Sequence, residues 1–248
     1  MRNILLILLF SLFFVACTDQ RQKPKELLVY CGTTMAKPLS EIATEFEKSA
    51  HCKVAIIVGL SGDLYQSILT NEVGDLYLSG SEFYITEAMN RTIIKDTVNV
   101  GVNKPVIMFR KDSKDKITRT DACFLLNKKI CVVIANPYSS IGKVTQKILE
   151  KRGIYDKVVS QISFFAADSK DLMKMLKEDK ADLAINWYAP YVWDDNKDFV
   201  SCIPMDSINE NHVILSTLTY SKQPELADLF LAQVASDDGK KVFKKYGL

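Results

Sequence analysis

The chain has 248 residues, 32 Lys+Arg against 30 Asp+Glu, 48% hydrophobic and 25% charged residues, and a formal net charge of +2. That composition is globular. A disordered, collagenous or basic nucleic-acid-binding chain would need low apolar content, a glycine period or a large charge imbalance, so no nucleic-acid partner is expected. The length accommodates one large domain or two of roughly 100 residues, each with a core of its own.

Residues 1–16 carry one positive charge, Arg2, and then an apolar run from Ile4 to Val15. At about a dozen residues the run is too short to span a bilayer stably and reads as the apolar part of a signal peptide. It ends in Phe14-Val15-Ala16-Cys17, which resembles the bacterial lipobox, where a small residue precedes a cysteine that is lipidated. The alternative is a plain signal peptide that stops near a cysteine. Residues 17–25 are then a polar tether, so the mature chain is expected to be periplasmic or at the cell surface, held to the membrane by a lipid on Cys17. Five further cysteines, Cys31, Cys52, Cys123, Cys131 and Cys202, make an odd number, so at least one is expected to be unpaired. Cys31, Cys123 and Cys131 sit in apolar runs and read as buried thiols. No C-x-x-C occurs and the two histidines, His51 and His212, lie far apart, which gives no support for a metal site; no cofactor is expected.

From Glu26 the chain alternates strands and helices. Glu26–Cys31 reads as a strand, Met35–Lys48 as a helix with Leu39, Ile42, Ala43 and Phe46 at helical spacing, Val54–Val58 as a second strand and Asp63–Asn71 as a second helix. Asp75–Leu78 is a third strand, Glu82–Asn90 a third helix, and Val98–Phe109 an extended run interrupted by Pro105. The same grammar restarts at Ile130–Ala135 (strand) and Lys143–Arg152 (helix), then Ser163–Ala166 (strand), Lys170–Lys177 (helix) and Ala181–Tyr188 (strand). Val213–Tyr220 is a long apolar strand, and helices over Glu225–Ala235 and Gly239–Tyr246 close the chain. Such alternation implies α/β lobes with mostly parallel sheets flanked by helices. Lobe one takes residues 26–105 and 215–248, lobe two takes 106–214, and the C-terminal helices return to lobe one.

Ligands of open α/β sheets bind beyond the carboxyl ends of strands, where helix N-termini present free N–H groups. Those ends here are rich in hydroxyls: Thr33-Thr34, Ser61, Ser139-Ser140 and Ser169, with no Lys or Arg inside the four turns. Ordinary N-capping would use the same residues; four such turns after four strands also make an anion site without a countercharge.

Val29-Tyr-Cys-Gly-Thr-Thr-Met-Ala-Lys-Pro-Leu39, Gly59-Leu-Ser-Gly62, Gly74-Asp-Leu-Tyr-Leu-Ser79 and Phe243-Lys-Lys-Tyr-Gly-Leu248 resemble the molybdate-binding periplasmic proteins of ABC importers. The likeness runs over about residues 27–248 and is looser in lobe two. It implies the two-lobed type II periplasmic-binding-protein fold, an oxyanion held between the lobes by hydroxyls and amides, and an ABC permease as partner. Carried over, the ligand-binding positions are Thr34, Ser61, Ser140, Ile141, Asp168, Ser169 and Trp187, the last replacing the tyrosine of better-known members. A pocket of donors favours a fully deprotonated dianion such as molybdate, tungstate or sulfate. If Asp168 pointed inward it would admit a protonated phosphate, arsenate or small organic acid; the expectation is that Asp168 points outward as a helix N-cap. Two rivals stand beside this reading: a cysteine hydrolase using Cys31 with His51 or His212 as base, and a surface adhesin on the same fold without a transporter.

Overall fold

The computed structural model describes residues 25–116, 125–193, 196–205 and 211–248. The signal segment, the tether with Cys17, and Cys123 lie outside these residues. β1 (Glu26–Gly32) runs through a 3-10 turn, Thr33–Met35, straight into α1 (Ala36–Ala50). β2 (Lys53–Gly59), α2 (Ser61–Asn71), β3 (Leu76–Ser79), α3 (Glu82–Asn90) and β4 (Ile94–Asn103) follow. The second half holds β5 (Pro105–Arg110), β6 (Val132–Val133), α4 (Ser140–Lys151), α5 (Tyr155–Val159), α6 (Ser169–Lys177), β7 (Leu183–Trp187), α7 (Tyr188–Val192), α8 (Asn196–Phe199) and β8 (Val200–Pro204). β9 (Asn211–Leu218), α9 (Pro224–Ala235) and α10 (Asp237–Lys245) complete the described chain.

Two sheets result, ordered β2-β1-β3-β9-β4 and β6-β7-β5-β8. β1 is parallel to β2 and β3, and β9 runs against both β3 and β4. In the second sheet β5 opposes β7 and β8, whereas β6 and β7 are parallel. Each sheet thus has one reversed strand, and each reversed strand is the first after a crossing between lobes. The extended run expected over Val98–Phe109 is two strands: it begins earlier, at Ile94, and divides at Lys104, because Pro105 has no N–H to continue the first ladder. β9 joins the first sheet from Asn211, four residues before the expected return at 215. The expected strand Ser163–Ala166 shrinks to a single bridge, Ala135 with Ala166, and Phe164 and Phe165 beside it are exposed at the sheet edge.

Burial follows the patterning. Leu39, Ile42, Ala43 and Phe46 of α1 pack with Leu27, Val29, Phe230 and Phe243, so α1, α9 and α10 share one face of the first sheet. Leu64, Ile68, Tyr84 and Ile85 cover Tyr30 and Tyr77 on its other face. Ile107, Leu149, Leu172, Leu183 and Ile185 centre a separate core in the second lobe. β7 (LAINW) is buried at all five positions, as a central strand with helices on both sides should be. Against expectation Cys131 is exposed, because it precedes β6 and carries its thiol out toward the Lys180 carbonyl; Cys31 is buried as expected. At α10 the Ser236 hydroxyl accepts from the Gly239 N–H at 3.1 Å. Ser236→Ala should therefore lower unfolding free energy by about 1 kcal/mol in a urea titration while leaving ligand affinity unchanged.

Candidate functional site

Three strand ends and the isolated bridge at Ala166 deliver four helix starts to one place. The 3-10 turn leading into α1 begins after Gly32, α2 after Leu60, α4 after Ser139 and α6 after Asp168. A narrow cleft lies between them, lined by Thr33, Gly59, Leu60 and Ser61 from the first lobe and Ser139, Ser140, Asp168 and Ser169 from the second. None of these residues is Lys or Arg. Positive potential comes instead from the N-terminal ends of the helices, whose first N–H groups lack intrahelical partners.

The hydroxyls differ in where their protons go. Ser61 is 2% exposed and its Oγ accepts from the Gly80 N–H at 3.3 Å. Ser140 Oγ accepts from Trp187 Nε1 at 3.2 Å. Neither hydroxyl proton has an acceptor among the described residues, so both remain available to a ligand. Ser139 Oγ accepts from the Gly142 N–H but gives its proton to the Asn136 carbonyl at 2.7 Å. The Ser169 hydroxyl donates to Asn186 Oδ1 at 2.5 Å. Asn186 is fixed in turn, since its Oδ1 accepts from the Trp187 N–H and its Nδ2 donates to the Ser169 carbonyl. One donor-ready serine therefore comes from each lobe.

Asp168 borders the space and caps α6: Oδ1 accepts from the N–H groups of Lys170 and Asp171, both at 2.9 Å. The other positions carried over from the resemblance stand back from the space. Thr34 is buried one residue beyond Thr33, which takes the lining position. Ile141 is 1% exposed and belongs to the core of the second lobe. Trp187 is wholly buried, and its indole orients Ser140 from behind; a larger ring at the tyrosine position reaches the serine instead of the cleft. Asn186 went unnoticed in the sequence, although one polar residue inside the apolar run Leu183–Trp187 was a usable signal.

The lobes touch around this space. The Tyr138 carbonyl, from lobe two, accepts both from the Gly62 N–H at 3.1 Å and from Tyr84 Oη at 3.0 Å. Burial, with the nearby Asp63 carboxylate, pushes the Tyr84 phenol up to about 12, so it is always a donor at neutral pH. Lys143 Nζ lies 4.6 Å from the centre of the Phe83 ring, and on another side Lys37 Nζ lies 5.0 Å from that of Trp193. Trp193 Nε1 also donates to the Tyr246 carbonyl at 3.0 Å.

Cys31 is not placed to act as the nucleophile of a hydrolase with His212 as its base. Cys31 is wholly buried, burial holds its thiol far above the usual range, and its Sγ points to the Gly32 carbonyl. His212 is occupied with Glu82 at 3.1 Å. Among the described residues no group of His, Cys, Asp and Glu is placed to hold a metal ion, and no helix is long and apolar enough to cross a membrane.

The model of the family described as bacterial extracellular solute-binding protein matches residues 27–248. A Haemophilus influenzae protein described as a binding protein is 27% identical over 224 residues, covering 90% of each chain. The molybdate-binding protein ModA of Escherichia coli is 21% identical, covering 89% of this chain and 92% of its own. The solved periplasmic molybdate-binding protein of Azotobacter vinelandii superposes with a TM-score of 0.74 at 18% identity, covering 89% of this chain and 97% of that one. The chain belongs to the bacterial extracellular solute-binding proteins, is built on the two-lobed type II periplasmic-binding-protein fold, and is similar to their molybdate-binding members.

Proposed function

We propose that the protein is a lipid-anchored receptor of an ABC importer that captures a fully deprotonated tetrahedral dianion, molybdate or tungstate, between its lobes. The observation that carries the reading is the pair of donor-ready hydroxyls, Ser61 and Ser140, facing one another from opposite lobes among converging helix starts. Hydroxyls and amides match an anion that needs donors on every oxygen and offers none. The anion touches both lobes only when they are together, so its binding energy favours the closed form, and a permease would read that form. A lipid on Cys17 would keep the receptor beside its permease and add nothing to specificity.

Asp168 provides the test between anions. Its carboxylate repels a dianion but would accept the proton of a monoprotonated phosphate or arsenate. Asp168→Asn keeps the helix cap and removes the charge. Calorimetry against molybdate, tungstate, sulfate, phosphate and arsenate should rank molybdate and tungstate first. The variant should bind them about fivefold more tightly, the factor corresponding to about 1 kcal/mol of repulsion relieved. Tighter binding of phosphate than of molybdate, weakened further in Asp168→Asn, would overturn the assignment.

A further inference from the structure

The Gly80 N–H holds the Ser61 oxygen and so directs its hydroxyl, and glycine has the softest backbone of any residue. Something must fix Gly80. A Cβ there would stand 2.7 Å from Ser140 Oγ across the cleft, so any side chain would displace that hydroxyl. Two buried amides do the fixing. Asn211 Nδ2 donates to the Gly80 carbonyl at 2.8 Å, and Asn103 Nδ2 donates to the same oxygen at 3.3 Å. These asparagines are a register pair: Asn103 is the last residue of β4, where the chain leaves the first sheet, and Asn211 is the first residue of β9, where it returns.

We propose that Asn103 and Asn211 are positioning residues for anion capture: sitting where the chain crosses between lobes, they clamp the Gly80 carbonyl, and Gly80 in turn aims the Ser61 hydroxyl. The assignment rests on the reading of the cleft as an anion site and adds how its first-lobe donor is set. A purely architectural role fits less well. Asn103 is 0% exposed and its Oδ1 has no hydrogen-bond partner among the described residues, a destabilising feature in a position chosen for stability alone. The cost is explained if the amide is kept for its other end.

The test is a double-mutant cycle with molybdate as the probe. Asn211→Ala should weaken molybdate binding about tenfold in an otherwise native chain and less than about twofold in a Ser61→Ala background, because its effect passes through Ser61. The near-isosteric Asn103→Leu removes the second clamp together with the unpaired oxygen. It should weaken binding about threefold while thermal stability stays level or rises, an opposition that a merely structural role would not produce. In the ligand-free protein, exchange of the Gly80 amide, followed by NMR, should quicken about tenfold in Asn211→Ala with the β1 amides unchanged. Equal losses of affinity in both backgrounds, or an unaltered Gly80 amide, overturns the proposal. If the native protein binds no molybdate, the function proposed above falls, and the Gly80 exchange rate still decides whether the clamp exists.

Discussion

Gly62→Ala should lower molybdate affinity about 10- to 100-fold without destabilising the ligand-free protein. Gly62 lies in the first turn of α2, and a Cβ there would stand 2.8 Å from the Tyr138 carbonyl and 2.7 Å from Tyr84 Oη. The Tyr84 ring can tilt away within its own lobe, but the carbonyl is backbone of the opposite lobe, so the contact must loosen. Overpacking of this kind costs about 1–3 kcal/mol, and the cost falls on the closed form alone. With the lobes apart, alanine is the better helix former by up to about 1 kcal/mol. Affinity from calorimetry and unfolding temperature without ligand should therefore move in opposite directions or stay uncoupled. Wild-type affinity in this variant would mean that the lobes do not meet at Gly62 when the anion is bound.

The second large effect concerns the serines. Ser61→Ala and Ser140→Ala should each cost about 10- to 100-fold in affinity, the range for losing a buried hydrogen bond to a charged partner, about 1.5–3 kcal/mol. Ser169→Ala and Ser139→Ala should cost less than about threefold, because those hydroxyl protons are already committed to Asn186 and to the Asn136 carbonyl. By residue type alone the four serines are equivalent; by hydrogen-bond direction they fall into two pairs. Four comparable losses would show that the ligand reorders the hydroxyls and that the ligand-free bonding pattern carries no information on binding. Ser140→Ala should also lose some thermal stability, since the indole N–H of the buried Trp187 is left without its acceptor.

Much of this was legible in the sequence because it depends on local order. Apolar runs followed by Gly or Ser and then helical spacing gave β1 to α3, the two-lobe division, and the hydroxyl-rich turns at the strand ends. What stayed hidden depends on partners distant in the chain. β8 is a half-buried edge strand whose existence rests on pairing with β5, and α5, α7 and α8 are too short to show a period. The positions at the site were recognisable, but the roles of Ser61 and Ser169 are decided by Gly80 and Asn186, which only the folded sheets bring near. The bond between Trp187 and Ser140 stayed hidden for a related reason: the two lie 47 positions apart in the chain.

The reversed strand β9 also sets when the first lobe can exist. It fills the gap between β3 and β4, pairing Leu78 with Leu215, so the middle of a sheet begun at β1 is supplied by residues that follow the whole second lobe in the chain. Until those residues arrive, β3 and β4 have no common neighbour and the face covered by α9 and α10 is bare. Closure of so long a loop is slow. The first lobe thus cannot complete its sheet until β9 is present, whereas the second lobe, whose core lies wholly within residues 106–205, does not have to wait for it.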